Sequence, residues 1–305
     1  MGEQQWTPRC LTRMDIEEQF RLACDDLYVS TLKPPVVVDS SRADSTLNKS
    51  LPKHLGGKIP KGFSIDPLTW RVYFDVGSLP QFLRKKHEML GFIRSLCQHE
   101  LTHFTLYPAS RQQETKLLIA AYSGFKDERI KQDPILARSY AFLVNNIFGD
   151  FIGDSHLACL GYGKQDFRLL TVWRERVITK KAQMINEKDP SPLWKVMTGL
   201  YEAVWQTDLG LSHHARLFSR DRQVLAAMIK AVGNDWNSEN RWLYKVKQLA
   251  GALEPLLLDL EIVDGQYILL PADFAEMCDH NNDSSIGSNN ESVDDQTLMD
   301  LLNKY

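Results

Sequence analysis

His99-Glu100-Leu101-Thr102-His103 is an H-E-x-x-H string. On an α-helix, two residues four apart lie about 40° from one another around the axis, on one face. Two imidazoles so placed can grip one zinc ion. The glutamate between them can then act as general base on a water held by that ion. The string points to a reaction class, hydrolysis by metal-activated water, and leaves the substrate open.

The residues before the string support a helix. Phe82 to Gln98 contains no proline, and Leu83, Met89, Leu90, Ile93, Leu96 and Cys97 recur mostly at steps of three and four. That is the period of an amphipathic helix, and Pro108 closes the segment soon after the string. A surface helix with two solvated histidines would show the same pattern. A third ligand separates the two readings, because catalytic zinc usually takes three protein ligands and keeps one position for water.

The third ligand is expected from a second helix downstream. Ser139 to Leu157 is strongly apolar yet carries Asn146, Asp150 and Asp154 at steps of four. Three polar residues in one stripe on a buried helix imply a cation beside them, since unpartnered buried carboxylates are costly. Asp150 is the expected metal ligand. Asp154, one turn on, suits the role of accepting the ring N–H of a zinc-bound histidine and fixing its tautomer. Asn146 suits an orienting hydrogen bond, an amide being a weaker zinc ligand than a carboxylate. His156 could replace either aspartate, or could simply be a helix-end residue. The alternative for Asp150 and Asp154 is a structural network with Arg138 or Arg168.

H-E-x-x-H on one helix, followed some tens of residues later by a helix with an acidic ligand, resembles the zincin metallopeptidases. In their thermolysin-like branch the second helix carries a glutamate ligand with an aspartate four residues on. Asp150 and Asp154 reproduce that spacing with aspartate in the first position. The string Asn146-Ile147-Phe148-Gly149-Asp150-Phe151 is also similar to the N-I-x-x-D-[YF] pattern of predicted bacterial metallopeptidases found beside von Willebrand A-type domains. The resemblance covers about residues 60–160. It implies a zincin-like N-terminal half with a small sheet, an active-site helix and a third-ligand helix; with the mainly helical C-terminal half that the residues after Gly163 suggest, the expected fold class is α+β. It also implies a Zn2+ cofactor and a peptide or protein substrate.

The chain has 305 residues, 43% of them hydrophobic and 25% charged, enough for one large core or two modest ones. A net charge of −3 argues against a general nucleic-acid binder. The basic run Arg174, Arg176, Lys180 and Lys181 reads as a solvated helix face. Cys10, Cys24, Cys97, Cys159 and Cys278 form no C-x-x-C pair, so reduced thiols and a cytoplasmic setting are expected. Met1 to Cys10 shows no apolar signal core, and no stretch approaches the ~18–20 apolar residues of a membrane span.

Along the chain, Asp15 to Leu27 has helical spacing. Pro34 to Asp39 is a short β-branched run expected to form a strand, and residues 40–60 read as a loop. Ile65 to Val76 is expected to form one further strand; in the zincins a strand so placed can pair with an extended substrate. Helices are expected over Arg111–Tyr122, Ile135–Leu160, Leu169–Glu187, Leu193–Trp205, Ser219–Val232 and Glu239–Leu253, the last stopping before Pro255. Trp173, Trp194, Trp205, Trp236 and Trp242 read as packing anchors. Asp264-Gly265 marks a hairpin, and residues 279–296 are polar and acidic.

Three segments follow: 1–163 as a zincin-like catalytic domain, 164–278 as a mainly helical domain with a small hairpin, and 279–305 as an acidic, disordered tail. Within the site, Glu100 is the expected general base and His99, His103 and Asp150 the metal ligands. Tyr140, His213, His214 and Arg216 are candidates to stabilise the oxyanion. The competing function is a zincin-like binding or regulatory module. In it the metal is a structural strut or a vestige, and a partner docks on the helical half or the acidic tail. A fourth protein ligand closing the coordination sphere would mark that strut.

Overall fold

The computed structural model describes residues 11–30, 33–41, 45–50, 63–66, 71–79, 85–160, 192–205, 217–259, 262–263 and 266–267. The expected helix Leu169–Glu187 and the acidic tail lie outside these. The chain divides into two compact units: Met1–Ala109 with Leu157–Trp173, and Ser110–His156 with Arg174–Tyr305. The boundary expected at residue 163 falls outside the described residues, and the units part instead after Ala109 and again after His156.

In the first unit, α1 spans Arg13–Asp26. Thr12 starts it with a capping box: its side chain accepts from the Asp15 amide at 3.2 Å, and the Asp15 carboxylate accepts from the Thr12 amide at 2.9 Å. The helix buries Ile16, Phe20, Ala23 and Cys24 and packs on α2, Lys86–Thr105. The contact is also polar. Asp26, at the end of α1, accepts from Arg94 Nε at 2.7 Å and from Gln98 Nε2 at 2.7 Å. Both donors lie on α2, so the helix is held at the turn just before His99.

A three-stranded sheet completes this unit. Its strands are β1 (Val36–Val38), β2 (Phe63–Asp66) and β3 (Arg71–Asp75), in the order β1-β3-β2. β1 runs parallel to β3 with Val37 beside Phe74; β2 runs antiparallel with Ile65 beside Val72. The single strand expected over Ile65–Val76 is therefore two strands. Pro67, which has no N–H for a ladder, was the available sign of the break. Asp75 ends β3 fully buried, accepting from the amides of Ser40 at 2.8 Å and Gly77 at 2.9 Å. It ties the exits of β1 and β3 together. Residues expected as loop also hold a 3-10 turn, Thr46–Ser50.

The second unit is helical: α3 (Arg111–Tyr122), α4 (Glu128–Lys131), most of α5 (Pro134–Cys159), α6 (Pro192–Trp205), α7 (Ser219–Val232) and α8 (Trp242–Leu257). Pro134 opens α5 while the Asp133 carboxylate accepts from the amides of Ile135 and Leu136 at 3.1 and 3.0 Å. α5 buries Leu143, Val144, Ile147, Phe148, Phe151 and Ile152, which is why its sequence is apolar nearly all round. α3 packs on α8. The approach is closest at Gly124, where a Cβ would sit 2.1 Å from the Lys247 carbonyl oxygen, so only glycine fits. Glu254 accepts from the amides of Lys126 and Asp127 at 2.6 and 2.7 Å, fastening the same contact.

α8 runs through Pro255 instead of ending before it. In the last turn a proline removes one backbone bond, to residue 251, and the helix is already near its end. Ile262–Val263 and Gln266–Tyr267 pair antiparallel as β4 and β5, leaving two residues between them as the Asp264-Gly265 pair requires. The described architecture is α+β, mostly helical with a small sheet.

Candidate metal centre

His99, Glu100 and His103 all lie on α2, which places the two histidines one turn apart. Their rings stand nearly perpendicular, with centroids 5.1 Å apart. His99 is 2% exposed and Glu100 6%, while His103 is half-buried. Solvated histidines on a surface helix would not look like this.

The end of α2 sets the tautomer of His103. The chain turns through Leu106 and Tyr107, whose amides both bond the Thr102 carbonyl, at 2.8 and 3.0 Å. That fold-back brings the Tyr107 carbonyl to 3.1 Å from Nδ1 of His103. A carbonyl only accepts, so Nδ1 carries the proton and donates it. The neutral ring then bears its lone pair on Nε2, the form a metal requires. The sequence reading assigned this kind of partner to Asp154; for His103 the partner is a backbone carbonyl, which no side-chain pattern announces.

Asp150 is 1% exposed on α5. One nitrogen of His99, one of His103 and one carboxylate oxygen of Asp150 lie within 4.8 Å of one another. Two imidazoles and a carboxylate are a donor set that suits zinc and similar divalent metals. This group can hold a metal ion. Asp154 and His156 stand outside it among the described residues, so the group has three members.

The remaining residues of the expected site fall as follows. Asp154 is buried and accepts a hydrogen bond from the Tyr201 hydroxyl at 3.0 Å. Asn146 is half-buried, whereas its neighbour Asn145 is 3% exposed. His156 is half-buried, and burial alone holds its pKa below the ordinary value. Tyr140 lies ten residues before Asp150, about 15 Å along the helix, with its ring edge-on to Phe125. Burial first, and then the charge of Asp133, raise its pKa. His213, His214 and Arg216 lie outside the described residues, as does Arg168. Arg138 lies over the ring of Phe142, 5.6 Å from its centroid.

Two thiols pack near the motif without the features of a nucleophile. Cys97 is pushed far above its ordinary range by full burial and then by the charge of Glu100. Cys24 is pushed up to about 11 by burial and then by Asp25. Both remain neutral thiols at neutral pH. Sequence reading did not find Tyr201, Trp205 or the Tyr107 carbonyl. For the two aromatics the only signal was their four-residue spacing, which packing anchors share.

No family model matches the chain, and neither a curated protein nor a solved structure does. No described helix is long and apolar enough to cross a membrane.

Proposed function

We propose that this chain is a zinc-dependent hydrolase of zincin-like design, a cytoplasmic metallopeptidase acting on peptide or protein substrates. One observation carries the reading: His99, His103 and Asp150 converge while Glu100 lies buried on the same helix as the histidines. The donor types fit zinc, and so does the Nδ1-protonated form of His103.

Bound zinc would polarise a carbonyl and bring the pKa of a coordinated water towards ~7. The protein's own residues do the rest. His99, His103 and Asp150 hold the ion and set its orientation. Glu100 takes up the proton of the attacking water on a carboxylate oxygen and returns it to the leaving nitrogen. At 6% exposure Glu100 is screened from bulk water, which would otherwise compete for that proton. Three protein ligands among the described residues leave a tetrahedral metal one position for water, and this supports a catalytic site over a closed structural strut. The unpatterned cysteines support the cytoplasmic setting.

Glu100→Gln tests the mechanism. The variant is expected to bind zinc like the wild type and to lose peptide hydrolysis by at least about a hundredfold, the range of general-base contributions. Hydrolysis at the wild-type rate would overturn it. A variant and a wild type that both bind zinc and both lack hydrolysis would assign the chain to the binding-module class.

A further inference from the structure

Two side chains of α6 reach the turn of α5 that follows Asp150. Tyr201 donates its hydroxyl to Oδ2 of Asp154 at 3.0 Å, and Trp205 donates its Nε1–H to Oγ of Ser155 at 2.8 Å. The donors are four residues apart and so share one face of α6. The Tyr201 ring is held from two sides, 5.3 Å from Phe151 and 5.1 Å from Trp205 between centroids. Asp154 is 3% exposed and Ser155 1%.

A carboxylate at that depth needs hydrogen-bond donors, and a donor fixed between two aromatic rings also fixes the carboxylate's torsion. Asp154 stands one turn beyond Asp150, about 6 Å along the helix. Of the two bonds from α6, the one from Tyr201 ends on a carboxylate. Groups hydrogen-bonded to a metal ligand typically change metal affinity by about 10–100-fold, and Tyr201, which acts through the turn that follows Asp150, is expected at the low end of that range.

We infer that Tyr201 is a positioning residue of the metal centre. Its hydroxyl holds the Asp154 carboxylate, and with it the ligand-bearing turn of α5, in the orientation that receives zinc. The inference rests on the metal-centre reading above and adds to it a residue from α6.

The test is zinc affinity of the full chain, measured with Zn2+ alone by competition against a chromophoric chelator. Tyr201→Phe removes one oxygen and keeps the ring, and is expected to weaken binding about tenfold. Asp154→Asn is expected to weaken it similarly, and the double variant to be no worse than the poorer single one, because Tyr201 acts through Asp154. Ser155→Ala loses the other bond between the same two helices while both aromatic rings stay, and is expected to bind within twofold of wild type. Additive losses, a Tyr201→Phe affinity within twofold of wild type, or an equal loss in Ser155→Ala would each overturn the inference. Should Tyr201→Phe fail to fold, an Asp154→Asn affinity within twofold of wild type overturns it as well. Wild type and His99→Ala run alongside. Zinc binding in the first and not the second, with Tyr201→Phe unaffected, sinks the positioning role alone. Failure of the wild type to bind sinks the metal centre and the inference together.

Discussion

Replacing Asp150 by alanine removes one donor of three, and the geometry sets how much should follow. A tetrahedral ion with bonds of about 2.0–2.1 Å holds neighbouring donors about 3.3 Å apart. The donor atoms of His99, His103 and Asp150 already lie within 4.8 Å of one another. They have at most about 1.5 Å to close, a distance within the reach of side-chain torsions. Zinc should therefore bind the folded chain and stabilise it by RT ln(1 + [L]/Kd), about 2.7 kcal/mol at a concentration of 100 Kd. For a chain of this size about 2 °C of melting temperature accompanies each kcal/mol, so a rise of about 5 °C is expected. If Asp150→Ala raises Kd a hundredfold, the same zinc concentration yields only about 0.4 kcal/mol, less than 1 °C. Scanning calorimetry on chelator-stripped protein, with and without zinc, reads this directly. An undiminished rise of about 5 °C in Asp150→Ala would refute Asp150 as a ligand.

Two further predictions concern stability. Tyr28 sits at φ 55° just past α1, 94% exposed, where Val29 and Tyr28 amides bond the Cys24 and Asp25 carbonyls in a Schellman cap that favours glycine. Tyr28→Gly should raise the free energy of unfolding by about 0.5–1 kcal/mol, the left-handed penalty less glycine's unfolded-state entropy; an unchanged or lower urea midpoint would count against this. His156 is held below its ordinary pKa by burial, so the fold favours its neutral form. The unfolded chain then binds more protons below about pH 6.5, and the stability this residue contributes is present above that value and lost as pH falls through the lowered folded value. Urea midpoints between pH 7 and 5 should show His156→Gln flattening that decline; a parallel decline in both proteins would assign it elsewhere.

What was legible in the sequence was local. Arg111–Tyr122 and Ser219–Val232 match their helices to the residue. In the first, Ser110 caps the helix by accepting from the Gln113 amide at 3.2 Å, a signal carried within four residues. H-E-x-x-H was legible for the same reason, and Asp150 through a polar stripe that an apolar helix makes conspicuous. The misses are non-local or conflict with a local rule. The sheet needed two strands where one β-rich run was read, because the pairing of Ile65 with Val72 cannot be seen from propensity. Pro255 was read as a stop, but the contacts of α8 carry the helix past it. The contact of α3 with α8 joins residues far apart in the chain, as does the close approach of Gly124 to the Lys247 carbonyl. The Tyr107 carbonyl reaches His103 through a backbone turn that side-chain patterns do not announce, and the Tyr201 hydroxyl reaches Asp154 by tertiary placement.

Whether this chain holds a zinc ion through His99, His103 and Asp150 is decided by metal analysis of the protein. Wild type and His99→Ala, both purified without chelators, loaded with zinc and dialysed, are compared by elemental analysis. Close to one zinc per wild-type chain is expected, and a small fraction of that in His99→Ala. Equal zinc in the two proteins, or a wild type that retains none after loading, would contradict that site.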